Sequence, residues 1–341
     1  MKDSKIEWTD HTFNPWIGCT KVSPGCANCY AETLMDTRYG RVKWGKGQPR
    51  QRTSAANWKL PLQWNREAGQ AFENWETAVQ HGAGFDMPKR PRVFCASLAD
   101  WLDDEVPIEW LADLIKLIHD TPNLDWLLLT KRPENWQTRV DQAYNALIRR
   151  EYQIPVLDNV ADWLHPHHVK ALDNVWIGTT VEDQARADQR IPELLKIPAR
   201  VRFLSCEPLL GKVNLAKPGT CAAWMGMLDW VICGGESGPN ARPMHPEWAR
   251  SLRDQCEAAE VPFLFKQWGK WKPLCGLYDD DRDDKENGSS DQTQSVELSG
   301  EIVTDRQPDQ SAWIMDPVGK KESGRLLDGV EHNGFPKGGV A

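Results

Sequence analysis

The chain contains no apolar run long enough to span a membrane, and its first residues, Met1-Lys2-Asp3-Ser4, lack the apolar core of a secretion signal. A cytoplasmic protein with no membrane attachment is the expectation. Cysteine is too sparse for a disulfide scaffold, nine residues in 341, and a reducing cytosol disfavours such bonds in any case. An overall basic field is also missing. Against 41 Lys and Arg stand 49 Asp and Glu, a net charge of −8, so nothing global draws the chain to nucleic acid, although a local basic channel is compatible with that balance. Tyrosine is scarce, five residues against 18 tryptophans. The excess of indole reads first as core and edge packing and second as stacking platforms for bases.

What is present is led by three cysteines in one short run, Gly18-Cys19-Thr20-Lys21-Val22-Ser23-Pro24-Gly25-Cys26-Ala27-Asn28-Cys29-Tyr30. Three thiolates from one loop can hold three corners of a cubane [4Fe-4S] cluster and leave the fourth iron without a protein ligand, the corner at which S-adenosylmethionine (SAM) would bind. Structural zinc normally takes a second knuckle or a Cys/His pair, whereas Cys95, Cys206 and Cys233 each sit alone in apolar, strand-like runs. Only His11 is placed as a fourth zinc ligand. A cluster, a zinc ion and free structural thiols all remain open on spacing, with the cluster preferred.

The rest of the chain alternates apolar runs with helix-like segments. Strands are expected at 92–100, 125–132, 175–180, 201–207, 230–236 and 261–267, and helices at 108–119, where Ile108, Leu111, Leu114, Ile115 and Ile118 recur at helical spacing, and at about 246–259. Continuously apolar strands separated by helices imply a parallel sheet, and six or seven such units suggest a partial or complete (β/α) barrel of the TIM type within an α/β fold. In that architecture the site lies at the C-terminal strand ends. Those ends carry Ser97 and Asp100, Thr130, Lys131 and Arg132, Thr179, Thr180 and Glu182, Ser205 and Glu207, Glu236 and Ser237, and Lys266 and Gln267. Each could be an ordinary loop residue, but their recurrence at every strand end points to convergence on one face.

Gly234-Gly235-Glu236 follows one such strand. Paired glycines let a backbone approach a ligand closely and a carboxylate there can accept from an amine or a ribose; a tight turn is the equal alternative, and the run is neither a Walker loop nor a dinucleotide fingerprint. From Arg41 to Trp64, Trp44, Trp58 and Trp64 interleave with Arg41, Lys43, Lys46, Arg50, Arg52 and Lys59. That run fits either a phosphate-and-base grip or a solvated excursion. The expected organisation is a barrel with its cysteine loop over 1–275, an acidic, mobile polar insertion over 276–312, and a segment folding back on the barrel over 313–341.

Asn14-Pro15-Trp16-Ile17-Gly18-Cys19, Cys26-Ala27-Asn28-Cys29-Tyr30-Ala31-Glu32, Thr130-Lys131-Arg132-Pro133, Cys206-Glu207-Pro208-Leu209-Leu210-Gly211, Gly234-Gly235-Glu236-Ser237-Gly238-Pro239, Lys266-Gln267-Trp268-Gly269 and Gly324-Arg325-Leu326-Leu327-Asp328-Gly329 together resemble a phage and prophage protein family with a three-cysteine motif. That family looks like a branch of the radical SAM superfamily, and the resemblance covers nearly the whole chain. It implies a cluster on Cys19, Cys26 and Cys29. Six residues separate the first two cysteines where the superfamily usually has three, and Pro24-Gly25 would turn the extra ones outward.

The superfamily's Gly-Gly-Glu-like grip on the methionine amine usually follows the second strand, so Ser97 and Asp100 are its substitutes here. The roles implied are catalysis by Asp100, Lys131 and Glu207, and SAM or substrate binding by Ser97, Thr179, Glu182, Gly234, Gly235 and Glu236. A nucleic acid or nucleotide substrate and a phage- or host-encoded partner protein fit the same resemblance. A zinc-stabilised nucleic-acid-binding module without catalysis, and a degenerate barrel that only binds a partner, are the competing classes.

Overall fold

A computed structural model describes residues 2–82, 84–150, 163–164, 171–216, 224–276, 293–303, 309 and 311–336. Seven parallel strands form one sheet: β1 (His11–Phe13), β2 (Arg92–Cys95), β3 (Asp125–Thr130), β4 (Val175–Thr180), β5 (Val201–Cys206), β6 (Trp230–Gly234) and β7 (Phe263–Gln267). Their order in space is their order in sequence. It never reverses, as it would in a doubly wound sheet, so the sheet curls in one direction into a half-barrel. All the strands read from the sequence are present; β1, three residues long, carried too little pattern to be read.

The strands are mostly apolar because both faces of the sheet are buried, with their polar residues chiefly toward the ends. Side chains alternate. Val93, Cys95, Trp126, Leu128, Ile177, Leu204, Cys206, Val231 and Cys233 face outward into one core with the helices. Phe94, Leu127, Trp176, Phe203, Trp230, Ile232 and Leu264 face inward with Trp8. The outer layer includes α1 (Ala55–Gln80), α2 (Ile108–His119), α3 (Trp136–Arg150), α4 (Gln184–Leu195) and α5 (Pro246–Ala258). In α2, Leu111, Leu114, Ile115 and Ile118 are all fully buried, the face that its spacing predicts. Ser54 and Asp183 cap α1 and α4 through their side chains.

Indole and phenyl rings fill the inside of the half-barrel. Trp8 lies 4.7 Å from Phe94 and 6.1 Å from Trp230, and Phe203 fits over Gly178, where a Cβ would come within 2.4 Å of its ring. Most tryptophans are packing residues, the first of the two readings.

A second, antiparallel sheet joins β8 (Lys272–Gly276), β9 (Gln294–Val296), β10 (Ile302–Val303) and β11 (Trp313–Asp316), with Val296, Met315, Trp271 and Ala241 in its core. Residues 294–303 thus form strands within the stretch expected as a polar insertion. The turn between them has Gly300 at a φ of +92°, and Val296 supplies the buried side. Most of the acidic stretch lies outside the described residues, as does His165-Pro166-His167-His168, a run that in the sequence lacks a partner set for a metal and reads as a loop.

The chain then makes a short hairpin, Leu326–Leu327 with Val330–Glu331, turning at Asp328-Gly329 with positive φ at both residues. Residues 332–334 lie along β7, with the Phe265 amide donating to His332 and the Gly334 amide to Phe263, which covers the sheet's last edge. Among the described residues no helix is long and apolar enough to cross a membrane.

Candidate functional site

A cavity of about 370 Å³ opens at the C-terminal strand ends, its deep part lined by Trp8, Phe94 and Leu129 and one wall built by the cysteine loop. The volume falls in the range of small-molecule sites. Cys19, Cys26 and Cys29 all line it, half-buried and free. Five cations, Lys21, Lys131, Arg132, Lys266 and Lys320, line it against three carboxylates, Asp100, Glu207 and Glu236. Four of these cations are paired with carboxylates, Lys21 with Glu32 and Lys320 with Glu7 outside the lining, Arg132 with Asp100 and Lys266 with Glu207 within it, which leaves Lys131.

Four anchors hold the cysteine loop, each from a different strand end. After β2, the Ser97 carbonyl accepts from the Tyr30 hydroxyl. After β3, Arg132 donates to Thr20 O at 2.7 Å and to the Cys19 sulfur at 3.5 and 3.6 Å. After β4, Glu182 accepts the Gly25 amide at 3.2 Å and Arg190 at 2.8 Å; a Cβ at Gly25 would lie 3.1 Å from that carboxylate. After β6, Glu236 accepts Asn28 Nδ2 at 3.0 Å, while Arg242 grips both its oxygens and reaches Pro24 O at 3.0 Å. The clamp fixes the loop to the barrel at Cys19, Thr20, Pro24, Gly25, Asn28 and Tyr30.

The electrostatics of the thiols follow from this packing. Loss of water pushes the Cys19 thiol up to about 12, against the pull of the Arg132 guanidinium. Burial also raises Cys29, opposed by the backbone amides of Glu32 and Ala31 and by Lys131. Burial disfavours the Glu236 charge, yet the hydrogen bonds of Arg242 and Asn28 outweigh it and hold the carboxyl below its ordinary range.

The other expected residues divide into two groups. Asp100 lines the cavity, but its oxygens accept from Thr130 Oγ1, the amides of Lys131 and Leu102, and Arg132, so it orients that arginine. Ser97 lines it and exchanges hydrogen bonds with Asn14. Glu207 lines it, held by Lys266 at 2.8 Å and Gln267 at 2.9 Å, and Lys131 reaches only the Thr180 hydroxyl at 3.2 Å. Thr179 is turned outward, bonded to the Thr130 carbonyl, and its neighbour Thr180 faces the cavity instead. Glu182 and Glu236 are engaged in the loop clamp. At Gly235 a Cβ would meet the Trp268 carbonyl at 2.0 Å and at Gly234 the Glu207 carboxyl carbon at 3.4 Å, so these glycines serve the approach of neighbouring strand ends.

Asn28, Arg190 and Arg242 complete the site and were not singled out from the sequence, and Arg132 was read only as one of the polar residues at a strand end. Their only signal was position: Asn28 between two cysteines, Arg132 at a strand end, Arg242 six residues past Glu236. The basic and tryptophan-rich run divides as well. Arg50 is buried between Asp103 and Glu105, Arg52 stacks on Trp58 at 4.2 Å and pairs with Asp113, and Trp64 packs on His11 at 4.4 Å. These four are structural. His11, the expected fourth zinc ligand, does not line the cavity.

The donor set suits a cluster: soft thiols facing one space, with guanidinium and ammonium groups beside them to balance anionic charge. Among the described residues no three His, Cys, Asp or Glu side chains are grouped as a site for one metal ion. A cubane asks for a wider spread, since its three thiolates bind three different irons. Neither a curated protein nor a solved structure matches the chain. A family model described as "Protein of unknown function (DUF5131)" matches residues 3–336, nearly the whole length, and the chain belongs to that family.

Proposed function

We propose that the protein is a radical SAM-like enzyme, a (β/α) half-barrel holding a [4Fe-4S] cluster on Cys19, Cys26 and Cys29. The observation that carries this reading is the placement of three free thiols, from one clamped loop, on a single cavity at the C-terminal ends of a curled parallel sheet. When bound, such a cluster supplies one electron for the reductive cleavage of SAM to methionine and a 5′-deoxyadenosyl radical that takes hydrogen from a substrate.

The chain's own residues set the conditions for that chemistry. Arg132, oriented by Asp100, and Lys131 place positive charge beside the thiols, where it favours their ionised, ligating form. Lys266 keeps the Glu207 carboxylate at the cavity wall, available to a hydrogen-bond donor on SAM or substrate. The aromatic lining of Trp8 and Phe94 excludes water from the deep end, as a radical intermediate requires. Since Glu236 and Glu182 are spent on the loop, the SAM amine must be met elsewhere, and Ser97 and Glu207 are half-buried acceptors on the wall.

Anaerobic reconstitution followed by metal analysis tests the reading. The protein should turn brown and hold about four irons and four sulfides, as three thiolates predict for a cubane. Replacing any of Cys19, Cys26 and Cys29 by Ala should abolish the colour, and the buried Cys95→Ala should not. Stoichiometric zinc without iron would overturn it.

A further inference from the structure

The segment that follows the cysteine loop reverses the sign of the chain. Residues 37–52 carry six basic side chains and no acidic one, in a protein of net charge −8. Arg50 and Arg52 are neutralised by Asp103, Glu105 and Asp113, and Lys43 pairs with Asp36. Arg38, Arg41 and Lys46 remain, all exposed and without a carboxylate partner among the described residues. Between the two arginines stands Tyr39, 53% exposed, with their guanidinium groups 5.5 and 5.8 Å from its ring centre.

This patch adjoins the cavity. The Gly45 amide donates to the Cys19 carbonyl at 3.0 Å, Val42 packs beside Met35 and Ile17 under the loop, and Trp44 lines the cavity itself. A second tyrosine, Tyr30, is 57% exposed where the same loop meets the cavity. Tyr30 and Tyr39 thus present ring surface to water next to a cavity whose lining holds five cations against three carboxylates. An exposed ring flanked by guanidinium groups that have no carboxylate partner among the described residues, with a second exposed ring at the cavity, matches what single-stranded nucleic acid requires: cations for the phosphates and ring surface for unpaired bases.

We propose that the patch of Arg38, Tyr39, Arg41 and Lys46 binds single-stranded nucleic acid and that the substrate presented to the cavity is one of its nucleotides. The identity of the substrate rests on the radical SAM reading; the binding does not. A duplex would keep its bases stacked away from Tyr39, so a single strand or an unpaired loop is the form bound.

The test uses the full chain, without cluster or SAM, and a fluorescein-labelled single-stranded oligonucleotide read by anisotropy across salt concentrations. Affinity should fall steeply with salt, and the Arg38→Ala/Arg41→Ala/Lys46→Ala variant should flatten the log–log slope by about 2, near 0.7 for each lost cation. Tyr39→Ala should weaken binding about tenfold at unchanged slope if a base stacks there. All four side chains are exposed, so an unchanged thermal melt is expected and serves as the folding control. Absence of salt-dependent binding, or binding indifferent to the triple variant, would overturn the proposal. Equal binding of polyglutamate, or full competition by inorganic polyphosphate with no effect of Tyr39→Ala, would overturn it as well, by reducing the patch to a general anion surface. These outcomes are independent of whether the protein cleaves SAM.

Discussion

Burial sets the chemistry of Cys19 before any metal arrives. Its thiol ordinarily ionises near 9.0 and is pushed up to about 12, so the metal-free protein should carry it protonated at neutral pH. At pH 8 its thiolate fraction is about a thousandfold below that of a free cysteine. Mass-spectrometric alkylation kinetics on metal-free protein should therefore find Cys19 reacting orders of magnitude more slowly than a cysteine peptide; equal rates would mean that Arg132 dominates over burial. Glu236 has the opposite sign. Its folded value lies below the ordinary 4.5, so its contribution is present above that pH and is lost as pH falls through the depressed value. Glu236→Gln mimics the loss at neutral pH. It removes charge-assisted hydrogen bonds worth roughly 1.5–3 kcal/mol from the loop clamp. The expected result is faster thiol labelling throughout the loop and loss of iron on dilution, partly restored by Glu236→Asp. Labelling and iron retention unchanged from wild type would assign Glu236 to a ligand rather than to the loop.

Among the elements, a tight constraint lies where β4 passes under Phe203. A methyl group at Gly178 would come within 2.4 Å of that ring, which sits among Trp8 and Trp230 and has no space to retreat. Gly178→Ala should cost about 1–3 kcal/mol by overpacking, read as a lowered midpoint in denaturant. A neutral substitution would show that the inner aromatic layer is loose. The strands and α2 were legible in the sequence because burial on both faces writes continuous apolar runs, and burial on one face writes helical spacing. That the polar residues gather at the strands' C-terminal ends was legible too, from the alternation itself. Which of them face the cavity was harder. Thr179 and Thr180 are neighbours of the same type, and only strand register decides that the second points inward. The roles of Glu182 and Glu236 were illegible, because their partners Gly25 and Asn28 are 157 and 208 residues away in sequence.

For the whole molecule, the sheet that never reverses, the aromatic filling on its inner face and the returning C-terminal segment together leave one open end, and the cysteine loop stands over it. The loop is held from four strand ends at once, so its thiols are presented by the barrel as a whole rather than by local sequence. A scaffold that only bound a partner would have no need for three thiols on one cavity with cations beside them. With a cluster on its three thiols, this end of the barrel should cleave SAM by reduction. The most direct measurement mixes anaerobically reconstituted protein with SAM and dithionite and follows 5′-deoxyadenosine by chromatography. The nucleoside should accumulate with the wild-type chain and be absent with Cys26→Ala. Protein that holds about four irons and four sulfides yet leaves SAM intact would contradict it.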